Sequence, residues 1–226
     1  MKIVEGVHWI KGVNGNCFIV ADSELTLIDT GFPRNTKKIV NFMKQDLHRD
    51  PSELKTIVLT HSHYDHVGCA SDLREKTGAR VATHIGDAGF IEGTMRPTAR
   101  KGGMRILAAL LSPLVRAKKV KVDLLLNEGD TIAGMKVVHV PGHTPGSIAL
   151  LDPVRKVLFS GDALTFRHGE VTPPPRGFTA DAEIAMQSIS EMSSLEFDTM
   201  LGGHGDPLTP DASARVREYV KNRFQH

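Results

Sequence analysis

Three histidines and an aspartate stand within six consecutive residues of this chain, directly after a short apolar run. They are His61, His63, Asp65 and His66, and the preceding letters TIVL have the β-branched character of a buried strand. Burying such a cluster without a partner is costly, because its groups repel one another when charged and lose their hydration. Imidazole nitrogen and carboxylate oxygen are the usual ligands of zinc and related metals, so the cluster predicts a metal site at the exit of a strand.

Three further polar residues follow apolar runs later in the chain, each beside a glycine that allows a sharp turn. His143 lies in VPGHTPGS, Asp162 in FSGDAL and His204 in LGGHGDP. Together with the first cluster they make a set of five histidines and two aspartates. One structural metal ion needs only about four ligands, so a set of this size predicts more than one ion.

Short strand-like runs alternate with helical patterns along the whole chain. The strand candidates are residues 3–10, 17–21, 25–29, 56–60 and 79–83, followed by 124–130, 135–140, 147–151, 157–161 and 199–203. The helix candidates are residues 35–47, 67–76 before Gly78, 181–195 with Asp181 as N-cap, and 211–224. Within the third helix, Ile184, Ile189, Met192 and Leu195 recur near one face. This layout predicts an α/β fold in which two sheets pack face to face with helices outside each.

Composition limits the class of protein. The 226 residues can enclose one substantial core, so a single domain is expected. The formal net charge of +2 is too small for the whole chain to bind nucleic acid through its field alone, and two cysteines exclude a disulfide scaffold. The apolar run 106–115 is about half the length of a membrane span. The first residues, MKIVEGVHW, lack the apolar region of a signal peptide, which predicts a cytoplasmic location.

The ordered motifs HSHYDH, GH, SGD and GGHGD, with LIDTG upstream, resemble the metallo-β-lactamase superfamily along nearly the whole chain. This resemblance implies a four-layer αβ/βα sandwich of two mixed β-sheets, formed as one domain over residues 1–226. It also implies a cleft at the strand ends that holds two divalent ions. Zinc is the expected metal, with iron or manganese as alternatives.

The resemblance also assigns a role to each residue of the set. His61, His63 and His143 would hold the first ion, Asp65, His66 and His204 the second, and Asp162 would bridge both. Asp29 of LIDTG would orient a ligand histidine, and the alternative is that it caps the turn before Gly31. Two ions would lower the pKa of bound water to about 7 and so supply a bridging hydroxide. Asp65 is the predicted catalytic residue that orients this hydroxide and shuttles a proton, because its carboxylate can be both a metal ligand and a hydrogen-bond acceptor.

Departures from individual branches of this family narrow the activity. True β-lactamases generally lack a bridging aspartate, and the related lactonases carry a tyrosine soon after it, where this chain has Ala163, Leu164 and Thr165. Glyoxalase II carries a helical domain after the last ligand, whereas 22 residues follow His204 here. We therefore predict a metallohydrolase of an ester, thioester or lactone. A phosphodiesterase or nuclease is the first alternative, and an iron-dependent redox enzyme is the second.

A basic and apolar segment at about 95–122 is the most distinctive part of the sequence. It combines eight lysines and arginines with the apolar run 106–115 and contains no acidic residue before position 123. We predict a lid-like insert that favours an anionic or acyl-bearing small molecule, and a helix packed on the body is the alternative. The predicted substrate contacts are Leu110, Leu114, Phe166, His168 and Phe178. No stable nucleic-acid partner is expected, and a homodimer is left open.

Overall fold

The first sheet is built from the amino-terminal half of the chain. The computed structural model describes residues 1–95 and 117–224. Within these ranges seven strands follow one another across the sheet in chain order: β1 (Lys2–Val4), β2 (Val7–Ile10), β3 (Cys17–Ala21), β4 (Leu25–Ile28), β5 (Leu54–Val58), β6 (Arg80–His84) and β7 (Leu124–Leu126). The first four strands pair antiparallel and the last four pair parallel, so the sheet is mixed.

The second sheet comes from the carboxyl-terminal half. In the described residues its strands are β8 (Thr131–Ile132), β9 (Met135–His139), β10 (Ile148–Asp152), β11 (Val157–Gly161) and β14 (Thr199–Gly202), in the spatial order β14-β11-β10-β9-β8. Only β11 and β14 are parallel neighbours in it. A separate hairpin is formed by β12 (Thr165–Arg167) and β13 (Glu170–Thr172).

Helices lie between these strands along the chain. The α-helices with described bounds are α1 (Thr36–Asn41), α2 (Tyr64–Val67), α3 (Ala70–Thr77), α4 (Ile85–Glu92), α5 (Ala182–Met192) and α6 (Ala212–Phe224). A π-helical turn at Phe42–Asp46 continues α1, and 3-10 turns occupy Pro51–Glu53 and Arg176–Phe178. In these described ranges, no helix combines the length and apolar character needed to cross a membrane.

Buried apolar clusters lie between the successive layers of helices and sheets. Ile19 and Leu27 of the first sheet share a buried cluster with Leu73 of α3. Their chain neighbours Phe18 and Ile28 belong to a different cluster, because successive side chains of a strand point to opposite faces. The first sheet therefore has one face against helices and the other against the second sheet.

The two inner sheet faces and the outer face of the second sheet complete the sandwich. Phe18 of the first sheet and Phe159 of the second approach to 5.6 Å between ring centroids in the central cluster. A third cluster joins Leu158 to Ile189 of α5 and Val216 of α6. The predicted αβ/βα sandwich of two mixed sheets is confirmed. Each fully buried leucine, isoleucine, valine or phenylalanine side chain contributes about 1.5–3 kcal/mol to the free energy of unfolding.

Several local predictions differ from the structure. The strand predicted at 3–10 is a hairpin of β1 and β2 that turns at Gly6, where φ is 71°. The helix predicted at 67–76 is divided into α2 and α3, because Cys69, with φ of -106° and ψ of 1°, departs from helical geometry. Gly78 ends α3 in the left-handed conformation, as expected. Ile184 does not face the core and is 40% exposed.

Two elements were missed by the sequence patterns. Helix α4 has the sequence IGDAGFIE, whose two glycines weaken any helical prediction. The β12–β13 hairpin has three residues per strand, which is too short for an alternating pattern to be recognised. The hairpin follows β11, whose exit carries the predicted site residue Asp162.

Candidate metal centre

The candidate site lies at the edge where strands of both sheets end. β4 and β5 are parallel neighbours, and so are β11 and β14, which brings the carboxyl ends of each pair to one side. His61 follows β5, Asp162 follows β11 and His204 follows β14. Ile148 N at the start of β10 donates to Thr60 O over 3.0 Å, which ties the second sheet to the loop that carries His61.

The three histidines assigned to a first ion do come together. Nitrogen atoms of His61, His63 and His143 lie within 4.8 Å of one another. His143 Nε2 is 2.9 Å from His63 Nδ1, and the rings of His61 and His143 are 4.7 Å apart between centroids. Three imidazoles converging in this way can bind one divalent ion.

The residues assigned to a second ion form a neighbouring group. Ligand atoms of Asp65, His66 and His204 also lie within 4.8 Å of one another. Asp65 Oδ2 is 3.0 Å from His204 Nε2 and 3.8 Å from His66 Nε2. A carboxylate with two imidazoles is again a ligand set suited to zinc or iron.

Asp162 lies between the two groups. Its Oδ1 is 3.5 Å from His66 Nε2, and its Oδ2 is 3.5 Å from both His143 Nε2 and His204 Nε2. Only 9% of the residue is exposed. One carboxylate that faces histidines of both groups can contribute one oxygen to each of two ions.

Several polar atoms of the site are buried without a hydrogen-bond partner. Across the described ranges, His61 Nε2, His66 Nε2 and Asp162 Oδ1 are buried side-chain atoms that have no hydrogen-bond partner. Buried polar atoms are almost always paired, since leaving one unpaired costs about 1–3 kcal/mol. Ligand atoms of these three residues lie within 4.8 Å of one another, and divalent cations bound there would satisfy all three. The donor set therefore fits divalent metal ions.

The charges of the site shift the pKa of His66 strongly. Burial would lower its pKa, but the carboxylates of Asp162, Asp29 and Asp65 outweigh burial and raise the pKa of His66 to about 10. In the metal-free protein His66 is therefore a cation that partly balances the surrounding carboxylates. A metal ion must displace this proton when it binds Nε2.

The pKa values of the other ligand groups shift in the directions that favour metal binding. Burial and the neighbouring His63 and His66 lower the pKa of His143 to about 3, and burial likewise lowers the pKa of His61 well below its usual range. Burial would raise the pKa of Asp65, but the hydrogen bond from His204 and the charge of His66 hold it well below its usual range. Neutral imidazole and ionised carboxylate are the forms that bind metals.

Asp29 is buried behind the histidines. Its Oδ2 accepts from His66 Nδ1 over 2.8 Å and from Thr60 Oγ1 over 2.7 Å, while Oδ1 accepts from Thr60 N over 2.8 Å. Thr60 Oγ1 is also 3.1 Å from His61 Nδ1, so His61 can donate to the hydroxyl that donates to Asp29. Both rings then present Nε2 to the site, as the predicted orienting role requires.

The predicted substrate contacts are placed unevenly. Phe166 packs against the third apolar cluster, with the Arg215 guanidinium carbon 5.6 Å from its ring centroid. His168 is exposed in the β12–β13 turn with φ of 52°. Phe178 is 58% exposed and precedes Thr179, whose Oγ1 is 3.5 Å from His143 Nδ1. Leu110 and Leu114 lie outside the described residues. All five contacts stay predictions.

The predicted insert at 95–122 falls largely on residues 96–116, outside the described ranges. Its described end belongs to the body of the molecule, since Val120 and Val122 are buried in the first apolar cluster. Lys118 Nζ also forms an ion pair with Asp72 Oδ1 at 2.8 Å. The lid-like role of the segment stays a prediction.

Two residues that the sequence patterns did not single out support the site. Asp87 in the first turn of α4 accepts hydrogen bonds from the loops that carry His63 and His143. Asn16 Nδ2 donates to Gly202 O over 2.9 Å and to Gly205 O over 3.0 Å, on either side of His204. An acidic residue inside the apolar run IGDAGFI was the only sequence signal for Asp87.

Sequence comparison identifies proteins that are similar to this chain. A sequence model of the metallo-beta-lactamase superfamily matches residues 10–204. The probable metallo-hydrolase YflN of Bacillus subtilis is 33% identical over 92% of this chain and 87% of its own length. Hydroxyacylglutathione hydrolase GloC of Haemophilus influenzae is 28% identical, over 92% of this chain and 93% of its own.

Two further similarities bear on chemistry. The acyl-coenzyme A thioesterase MBLAC2 of Homo sapiens is 30% identical over 71% of this chain and 64% of its own length. The crystal structure of TTHA1623 in a di-iron-bound form superposes with a TM-score of 0.70 at 27% identity, over 92% of this chain and 96% of that one.

Proposed function

The chain belongs to the metallo-β-lactamase superfamily, and on that premise we propose that it is a metal-dependent hydrolase that cleaves thioesters. The observation that carries this proposal is the convergence of seven imidazole and carboxylate side chains from both halves of the molecule on one site. Esters and lactones react by the same chemistry and remain within the proposed class. The thioester preference is supported by two relatives, the hydroxyacylglutathione hydrolase GloC and the acyl-coenzyme A thioesterase MBLAC2, since an acyl group on glutathione or coenzyme A is held as a thioester.

Two divalent ions are proposed for the site, with zinc as the expected metal. His61, His63 and His143 would hold one ion, Asp65, His66 and His204 the other, and Asp162 both. The similar TTHA1623 structure, which is in a di-iron-bound form, supports two ions and keeps iron as an alternative. When bound, such ions lower the pKa of water towards neutrality and polarise a carbonyl oxygen.

The residues of the chain supply the remaining chemistry. Hydrolysis adds water across the bond between the acyl carbon and sulfur, so one proton must leave the water and one must reach the sulfur. Asp65 is ionised and half-buried beside the site, and it can accept the first proton and deliver the second. A thiol leaving group has a pKa of about 8.5, so its departure as thiolate needs little assistance.

Asp29 and Thr60 contribute by orientation. Asp29 fixes the tautomer of His66, and through the Thr60 hydroxyl it also directs His61, so that both rings keep their Nε2 atoms aimed at the site. Neither residue reaches the reacting atoms. Their effect is to hold ligands in the geometry the ions require without reorganisation during the reaction.

A substrate panel tests the proposal. Zinc-loaded protein would be assayed on an acyl-glutathione thioester, an acyl-coenzyme A, a lactone, an oxygen ester and bis(p-nitrophenyl) phosphate, with metal-free protein and His61→Ala as controls. We expect the two thioesters to give the highest kcat/KM and the controls to lose that activity. A preference for the phosphodiester would contradict the proposal and favour a phosphodiesterase instead.

A further inference from the structure

Asp87 is a fully buried carboxylate that links two separate loops. It is 0% exposed, although it stands in the first turn of α4. Its Oδ2 accepts from Ser62 N over 2.7 Å and from Thr144 Oγ1 over 2.8 Å. Its Oδ1 accepts from Gly146 N over 2.8 Å. All three donors belong to loops rather than to regular strands or helices.

These loops carry the first group of histidines. Ser62 stands between His61 and His63, and Thr144 follows His143 directly. The distance between the loops sets the position of His143 relative to the other two rings. One carboxylate therefore bridges the two loops whose separation governs the convergence of three ligand nitrogens.

The packing around Asp87 leaves no room for adjustment. A Cβ at Gly146 would lie 2.4 Å from Asp87 N and 2.8 Å from Asp87 Cβ. A Cβ at Gly86 would lie 3.0 Å from Gly146 Cα. The start of α4 and the loop that carries His143 are thus in backbone contact. Only glycine at these two positions allows the carboxylate to approach the loop so closely.

We propose that Asp87 is a positioning residue that sets the affinity of the His61, His63 and His143 group for its metal ion. This inference rests on the proposed metal-dependent function. The carboxylate is suited to the role because it only accepts hydrogen bonds, and all three partners can donate. An amide cannot replace it, since either orientation of its NH₂ would face the N–H of Ser62 or of Gly146.

Asp152 provides a matched control. It is a buried carboxylate, 2% exposed, that also accepts two backbone N–H groups and one side-chain donor, from Val154 and Arg155. Asp152 is the last residue of β10, whereas the loop that carries His143 precedes the first residue of that strand. Asp152→Asn should therefore perturb the fold as Asp87→Asn does without touching the metal ligands.

The experiment is a zinc titration of wild type, Asp87→Asn and Asp152→Asn by competition with a chelator, alongside thermal melts of the metal-free proteins. In Asp87→Asn we expect one zinc site to weaken by about 10–100-fold, the range seen when groups supporting metal ligands are changed. Asp152→Asn should keep both affinities. Cobalt(II)-substituted Asp87→Asn should show an altered visible spectrum, a change that lost stability alone would not produce.

The outcomes separate this inference from the proposed function. If wild type binds none of zinc, iron and manganese, the proposed metal-dependent function fails. If wild type binds zinc and Asp87→Asn binds it equally well with an unchanged cobalt spectrum, the positioning role is overturned. Should Asp87→Asn not fold, Thr144→Val removes one link and keeps the carboxylate. Wild-type zinc affinity in Thr144→Val would then overturn the inference, and a several-fold loss at one site would support it.

Discussion

Asp65 is the residue on which the proposed chemistry depends most directly. Asp65→Asn keeps an oxygen ligand but removes the negative charge that accepts the proton of the attacking water. We expect turnover to fall about 10²-fold or more, the usual scale for a general acid-base group. The measurement is kcat at verified full zinc occupancy, with Asp152→Asn as the control. Undiminished turnover in fully loaded Asp65→Asn would remove this residue from the mechanism.

Histidines with opposite pKa shifts predict how metal-free protein responds to pH. As pH rises from 6.5 towards 10, native His66 keeps a proton that the unfolded chain has released, so the free energy of unfolding falls. As pH falls from 6.5 towards 3, His143 becomes protonated in the unfolded chain but stays neutral in the native protein, so the free energy of unfolding again decreases. Metal-free protein should be most stable near pH 6.5.

Urea unfolding of the metal-free protein over this pH range checks that prediction. Asp29→Asn serves as the comparison, because removing the carboxylate beside His66 should lower the pKa of that histidine and flatten the alkaline side of the curve. Stability that keeps rising from pH 6.5 to pH 9 in the unmodified chain would show that His66 does not carry the assigned charge.

At the scale of elements, the turn after β14 must pass the site with no side chain. A Cβ at Gly203 would lie 2.3 Å from Asp162 Oδ1 and 2.6 Å from His66 Cε1. The backbone of Gly203 does not have a positive φ, so alanine meets no backbone strain there and the obstacle to it is space. Gly203→Ala should weaken zinc binding by about 10-fold or more, as the loss of ligand support does.

Equilibrium dialysis with zinc is the check for Gly203→Ala. The control is Gly177→Ala, at a glycine that also has no positive φ and whose Cβ would meet nothing within 4 Å. We expect Gly177→Ala to bind zinc as wild type does. Equal zinc binding by both variants would mean that His66 and Asp162 can move apart to admit the methyl group.

Elements differ in how far the sequence predicts them. Asp181 was expected to cap a helix, and its side chain does accept from Glu183 N and Ile184 N at the start of α5. The interruption between α2 and α3 was not predicted, because Gly68 keeps helical dihedral angles and the departure occurs at Cys69, which is not a helix-breaking residue type. Helix α4 was missed because its own composition argues against a helix, and buried contacts stabilise it instead.

For the whole molecule, the layers could be predicted and the links between loops could not. Consecutive apolar residues such as Phe18 and Ile19, whose side chains lie on opposite faces of a strand, indicate that both faces of that strand are buried. The contacts of Asp87 with Thr144 and of Asn16 with Gly202 join residues 57 and 186 positions apart. Such contacts leave no periodic pattern in the sequence. The motifs predicted the candidate ligands but not the residues that hold their loops together.

Because the candidate ligands come from both halves, bound metal should stabilise the whole fold. A ligand that binds only the native state adds about 2.7 kcal/mol when its free concentration is 100 times its dissociation constant. We expect a chelator to lower the Tm of wild type by several degrees. His61→Ala, which loses a ligand from one half, should respond less. Identical Tm values with and without chelator would contradict metal binding across the two halves.

The most direct test of the central claim is a zinc titration of metal-free protein in which thioester hydrolysis is followed at each addition. The account predicts no measurable turnover without metal, and activity that reaches its plateau at two zinc ions per chain, confirmed by elemental analysis of the active protein. Full activity in metal-free protein, or a plateau at one ion that excess zinc, iron or manganese does not change, would contradict it.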